Sequence, residues 1–127
     1  MDLIVAADDA KFLPAVMQYF SVPWDIPIRK AKEAIFRSRF IDAMEAERLG
    51  FVNLVVPRER LAQETMMLAR EIAENDPFTL RMAKWAANSM QDAMGFSYSI
   101  RNAHSHYMVQ GLDSYTRTSW RVRVSRK

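Results

Sequence analysis

His104 and His106 are the only histidines in the chain, and Asp8 stands next to Asp9. These are the residues whose types could bind a metal or move a proton. Two helical residues two apart point in well-separated directions, unlike the i, i+4 pair that clasps one ion, so the histidines are read as polar surface residues and no metal is expected. Adjacent carboxylates in extended chain face opposite ways, and Asp8 and Asp9 are read as solvated loop residues. The absence of cysteine excludes disulfides, thiolate metal sites and a cysteine nucleophile. The three glycines, at positions 50, 95 and 111, cannot assemble a nucleophile elbow, a phosphate-cradling loop or a dinucleotide fingerprint.

Two further groups of residues could bind a ligand. The nine methionines include Met66, Met67, Met82, Met90 and Met94. Met along amphipathic helices fills a core or a subunit interface more often than it lines a ligand groove, and that reading is adopted. Trp120 within "RTSWRVRVSRK" could stack on a base and bind phosphate, but an exposed basic tail, loose or ordered only against a partner, accounts for the same residues.

Eighteen Lys and Arg against fifteen Asp and Glu give a net charge of +3, short of the dense basic stripe of a nucleic-acid binder, so nucleic acid is not an expected partner. "MDLIVAADDAKF" is apolar only from Leu3 to Ala7 and lacks a basic leader, so neither a signal peptide nor a membrane span is read there. A soluble protein of the reducing cytoplasm is expected, with no membrane partner.

The elements that must position these residues are mostly helices. "LIVAA" and "FVNLVV" read as one or two short buried strands. Residues 12–27 hold three prolines and four aromatics without a period and read as irregular. A helix is predicted from an Asp25 cap, with Pro27 in its first turn, to near Arg39. Asp42 and Glu45 have capping-box spacing, and Gly50 supplies a left-handed stop two turns on. Helical spacing of Leu61, Thr65, Leu68 and Ile72 predicts another helix. Asp76 and Pro77 start the next, which ends before Gly95, and a last one runs from Phe96 to about Gln110.

Taken in order, "DLIVAADDAKF", "PIRKAKEAIFRSRFIDAMEAERLGFVNLVVPRERL" and "LAREIAENDPFTLRMAKWAAN" resemble the C-terminal half of an enoyl-CoA hydratase/isomerase of the crotonase superfamily, across residues 2 to about 95. The most specific part is the family pattern T-G-R-x-I-x-A-x-E-A-x-x-L-G-L-V-N-x-V-V-P. Here Ser38, flanked by Arg37 and Arg39, replaces its T-G.

The resemblance implies an α/β fold, the ββα spiral of the superfamily. This chain would supply a mostly α-helical portion with one or two short strands. Residues 1–56 would be the last part of the spiral core, and residues 57–127 a C-terminal helical region that assembles trimers or hexamers. The implied ligand is an acyl-CoA thioester, which is substrate, and no further cofactor is implied. In the family, two backbone amides stabilise the thioester enolate and one or two acids move protons; both amides and one acid lie upstream of the segment matching "DLIVAA". The other acid follows the proline of "A-x-F-x-x-P-E", and the matching residue here is Ala15, so no catalytic residue is assigned. Phe20, Val22 and Trp24 are expected to wall an acyl pocket. The alternative expectation is a non-catalytic oligomerisation or ligand-binding module that joins intact paralogues.

Overall fold

A computed structural model describes residues 2–14 and 21–112. The two apolar runs meet in one sheet: β1 (Val5–Ala7) lies parallel to β4 (Leu54–Val56), with Ala6 opposite Val55. Asn53 holds the register from both of its polar ends. Its amide donates to the Ile4 carbonyl at 2.9 Å, and its side-chain oxygen accepts from the Ile4 amide at 2.8 Å. The Val55 amide donates instead to Glu47 Oε1 at 2.9 Å, so a side chain satisfies this strand donor.

A second pair is antiparallel, β2 (Lys11–Phe12) against β3 (Ile41–Asp42). Two-residue strands carry no measurable alternation, which is why the sequence pattern predicted neither.

Between β2 and β3 the segment expected to be irregular contains a helical turn, α1 (Val22–Asp25), and α2 (Ile28–Phe36) follows it. Asp25 is therefore not the N-cap of α2. The Trp24 and Asp25 amides both donate to the Ser21 carbonyl, closing a separate turn with Pro23 preset in it, and Pro27 takes the cap position of α2. On α2, Ala31 and Ala34 face inward and are fully buried.

α2 ends at Phe36, before the predicted stop near Arg39. The Ser38 amide donates to Ile35 O at 3.0 Å and the Arg39 amide to Ala34 O at 3.1 Å, the paired bonds of a left-handed helix stop. Ser38 occupies the left-handed position with φ 49°. The same arrangement ends α3 (Ala43–Arg48): Gly50 donates to Glu47 O, Phe51 to Ala46 O, and Gly50 has φ 84°. At the start of α3 only half of the expected capping box forms. Asp42 accepts from the Glu45 amide at 2.7 Å, but the Glu45 carboxylate turns to Arg39 instead of back to Asp42.

A 3₁₀ turn (Arg58–Arg60) follows Pro57 and leads into α4 (Leu61–Ala73). Asp76 caps α5 (Pro77–Ala93) by accepting from the Thr79 amide at 2.7 Å, with Pro77 first in the helix, as its spacing predicts. Gly95 turns the chain into α6 (Phe96–Leu112). α4 packs against β1, and α5 packs against α6.

The core is small in every sense. Ala6, Ala31, Ala34 and Ala46 join Ile26, Ile41 and Val52 in one cluster, with Phe12 and Phe51 in edge-to-face contact at 5.2 Å beside it. Among the described residues no large side chain is fully buried. α2 packs against α1 and α3 packs against β2, β3 and β4, and the alanine methyls these helices contribute each remove little apolar area from water.

The two stops make a paired prediction. Ser38→Gly relieves a left-handed conformation that costs an L-residue about 1 kcal/mol, and should raise stability by up to that amount, while Gly50→Ala should lower it by about 1 kcal/mol. Urea melts of both variants followed by circular dichroism check the opposite signs.

Candidate functional site

Two residues expected to wall an acyl pocket, Val22 and Trp24, share the single turn of α1 and, being two apart, project differently. Val22 is half-buried and packs against the core cluster. The Trp24 indole meets the Phe96 ring edge to face, centroids 5.7 Å apart at 79°. Phe20 and Ala15 lie outside the described residues, as do Trp120 and the basic tail. The Phe96 contact could not be found by sequence pattern, because helical spacing marks Phe96 only as one residue on an apolar stripe.

A cavity of about 810 Å³ lies elsewhere, between α2 and α3, and its walls include Lys30, Glu33, Arg37, Arg39, Glu45 and Arg48. Most of these charges are paired. Arg39 grips Glu45 with two hydrogen bonds of 2.7 and 2.8 Å, and Glu33 receives Arg37 at 2.9 Å and Lys30 at 3.2 Å. The Arg39 hydrogen bonds hold the Glu45 carboxyl below its ordinary range, and Lys30 followed by Arg37 does the same for Glu33. Carboxylates so held stay ionised near neutrality and make poor proton donors. Asp9 is tied in the same way: Arg58 reaches it with two bonds of 2.6 and 2.7 Å and lowers its carboxyl. It thus braces the β1 exit against the 3₁₀ turn, a role the sequence reading as a solvated loop carboxylate missed, since the partner is 49 residues away.

His104 and His106 are both exposed on α6, and His104 stacks on Tyr107 at 6.3 Å. Among the described residues no group of three or more His, Asp or Glu is placed to hold a metal ion. No helix among them is long and apolar enough to cross a membrane.

The methionines and aromatics of the C-terminal helices are not core. α4 and α5 contain no buried residue, and Met66, Met67, Phe78, Trp85 and Met90 are each more than half exposed. In a water-exposed monomer this would be a large unpartnered apolar surface.

The overall arrangement is the crotonase fold. A crystal structure of an enoyl-CoA hydratase/isomerase from Xanthobacter autotrophicus superposes with a TM-score of 0.82 at 26% identity, covering 99% of this chain and 50% of that one. A probable enoyl-CoA hydratase from Mycobacterium thermoresistibile superposes with a TM-score of 0.78 at 42% identity, covering 85% of this chain and 47% of that one. Among curated proteins, a Mycobacterium tuberculosis protein named as an enoyl-CoA hydratase, EchA13, is 37% identical over 107 residues, which are 78% of this chain and 34% of that protein. Residues 1–117 match the model of the enoyl-CoA hydratase/isomerase family, and the chain belongs to that family. It corresponds to the C-terminal half and spans half or less of the length of these relatives.

The ion pair makes a prediction about pH. Glu45 has a lowered carboxyl pKa in the folded chain, so its contribution is complete above the ordinary glutamate value of 4.5 and is lost as pH falls through the lowered value. Glu45→Gln should cost about 2 kcal/mol at neutral pH, because Arg39 keeps little solvent access, and should flatten the loss of stability below pH 4.5. Thermal melts from neutral to acid pH on both proteins check it.

Proposed function

We propose that this chain is the acyl-CoA-binding and self-associating C-terminal part of an enoyl-CoA hydratase/isomerase-like protein, and that by itself it does not turn over substrate. The proposal divides it at Pro57, with the last part of the spiral core in residues 1–56 and the oligomerising helices in residues 57–127. The observation that carries the self-association is the exposed apolar surface of α4 and α5, two helices with no buried residue. Helices of 13 and 17 residues are stabilised in water chiefly by burying an apolar face, and a second copy would supply that burial here. Trimers or hexamers are the assemblies the family resemblance suggests.

The ligand is proposed to be an acyl-CoA thioester, with Phe20, Val22 and Trp24 along the acyl chain and no other cofactor. The relatives are named as enoyl-CoA hydratases, which supports this class. The lack of turnover is proposed on chemical grounds. Ala15 stands at the position of one family acid, and a methyl group neither donates nor accepts a proton. The family's oxyanion amides belong to a part of the relatives that these residues do not cover, and loss of one such donor alone costs about a hundredfold or more. The cytoplasmic setting expected from the composition belongs to the same proposal.

The second reading, a non-catalytic module joining intact paralogues, draws on the same exposed helices with a different occupant. Sedimentation separates the two. The chain alone should sediment as an oligomer, and Trp85→Asp should shift it toward monomer; a well-folded wild-type monomer at micromolar concentration would overturn self-association. Mixed oligomers formed on adding a full-length paralogue would favour the second reading. Assayed with a short 2-enoyl-CoA, the chain should show no hydration above background, and measurable turnover would refute the inactivity.

A further inference from the structure

We infer that Phe96 is a positioning residue for Trp24, tying the proposed acyl wall to the C-terminal helix α6, so that recognition of the acyl chain depends on how α6 is seated. The inference rests on the reading of Trp24 as pocket wall given above.

α1 is a single turn of four residues and cannot orient a large indole through its own backbone. The neighbouring Ile26 is buried and Val22 packs on the core, which anchors the backbone of the turn but leaves the indole to find its own support. That support is Phe96: the 79° angle and 5.7 Å spacing are the edge-to-face arrangement that the ring quadrupoles favour.

Phe96 is itself firmly placed. It is the first residue of α6, immediately after the left-handed Gly95 at φ 98°. The Gly95 amide donates to Asp92 O at 2.9 Å, and Ser97 Oγ donates to Asp92 Oδ1 at 2.6 Å, so the corner between α5 and α6 is bonded on both sides of the ring. The ring therefore belongs to the corner of the α5–α6 pair, while the indole belongs to the segment linking β2 to α2. Their contact joins two parts of the chain that share no strand.

The consequence separates two portions of a ligand. Affinity that comes from the acyl chain should depend on Phe96, whereas affinity for the nucleotide portion of CoA should not. A residue with a merely structural role would move both together.

The chain has three tryptophans, so Trp85→Phe with Trp120→Phe leaves Trp24 as the only indole emitter. In that background the full chain is titrated with CoA and with octanoyl-CoA. Phe96→Leu should shift the emission to the red and reduce the preference for octanoyl-CoA over CoA about three- to tenfold, the range expected from loss of one edge-to-face pair. Phe96→Tyr, which keeps the ring, should restore both. The emitter is removed in Trp24→Leu, so its binding is followed by calorimetry, and its octanoyl preference should fall at least as far. Should Phe96→Leu lose its helical circular dichroism, Phe96→Met carries the same comparison.

If the parent chain shows no preference for octanoyl-CoA, or Trp24→Leu leaves that preference unchanged, the pocket reading fails and the inference with it. If Trp24→Leu reduces the preference and the folded Phe96 variant does not, the positioning role alone is overturned.

Discussion

The parallel pairing of β1 with β4 is the constraint on which the remaining architecture depends. Two three-residue strands have too few ladder bonds to be stable alone, and a parallel pair needs a long crossover between them. Asn53 compensates at one end, where amide and side chain both engage Ile4. At the other end the Asp8 backbone amide donates to Val56 O at 2.8 Å, and the Asp9 carboxylate is gripped by Arg58. The crossover then has to fold into the space beside this pair, which places α1, α2 and α3 around the core and delivers the chain through Pro57 to α4.

Within that crossover, two left-handed helix stops and one ion pair do the shaping. The stops at Ser38 and Gly50 share a hydrogen-bond pattern but differ in cost, because only glycine adopts the conformation without a Cβ clash. Ser38 is therefore a backbone position first, closed by the amide bonds of Ser38 to Ile35 O and of Arg39 to Ala34 O. Arg39, directly after it, carries the bidentate link to Glu45 and so fastens the end of α2 to the start of α3. Its Nε is buried without a hydrogen-bond partner, so the link includes a desolvation cost that the two bonds to Glu45 offset.

An alanine-rich core and an apolar exterior are two sides of one economy of packing. The buried cluster is built largely from small residues, while large apolar side chains stand exposed both near the core, as Phe36 at 79% and Met44 at 61%, and on the C-terminal helices, as Phe78 at 63% and Trp85 at 67%. A chain built this way has much of its potential hydrophobic stabilisation outside its own core. The chain belongs to the enoyl-CoA hydratase/isomerase family and spans about half the length, or less, of the relatives it matches.

What the sequence determined by itself was local or compositional. The stops at Gly50 and Gly95, the Asp76 and Asp42 caps, the two apolar strands and the long amphipathic helices were legible because backbone stereochemistry and periodicity act over a few residues. The family was legible because its pattern from Arg39 to Pro57 is likewise contiguous. Tertiary structure alone decided the rest. Glu45 abandons its capping partner for Arg39, Asp9 finds Arg58, the β2–β3 pair forms from two residues each, and Trp24 meets Phe96. Each of these joins groups whose separation along the chain carries no periodic signal, so their energy enters only after the crossover has brought them together.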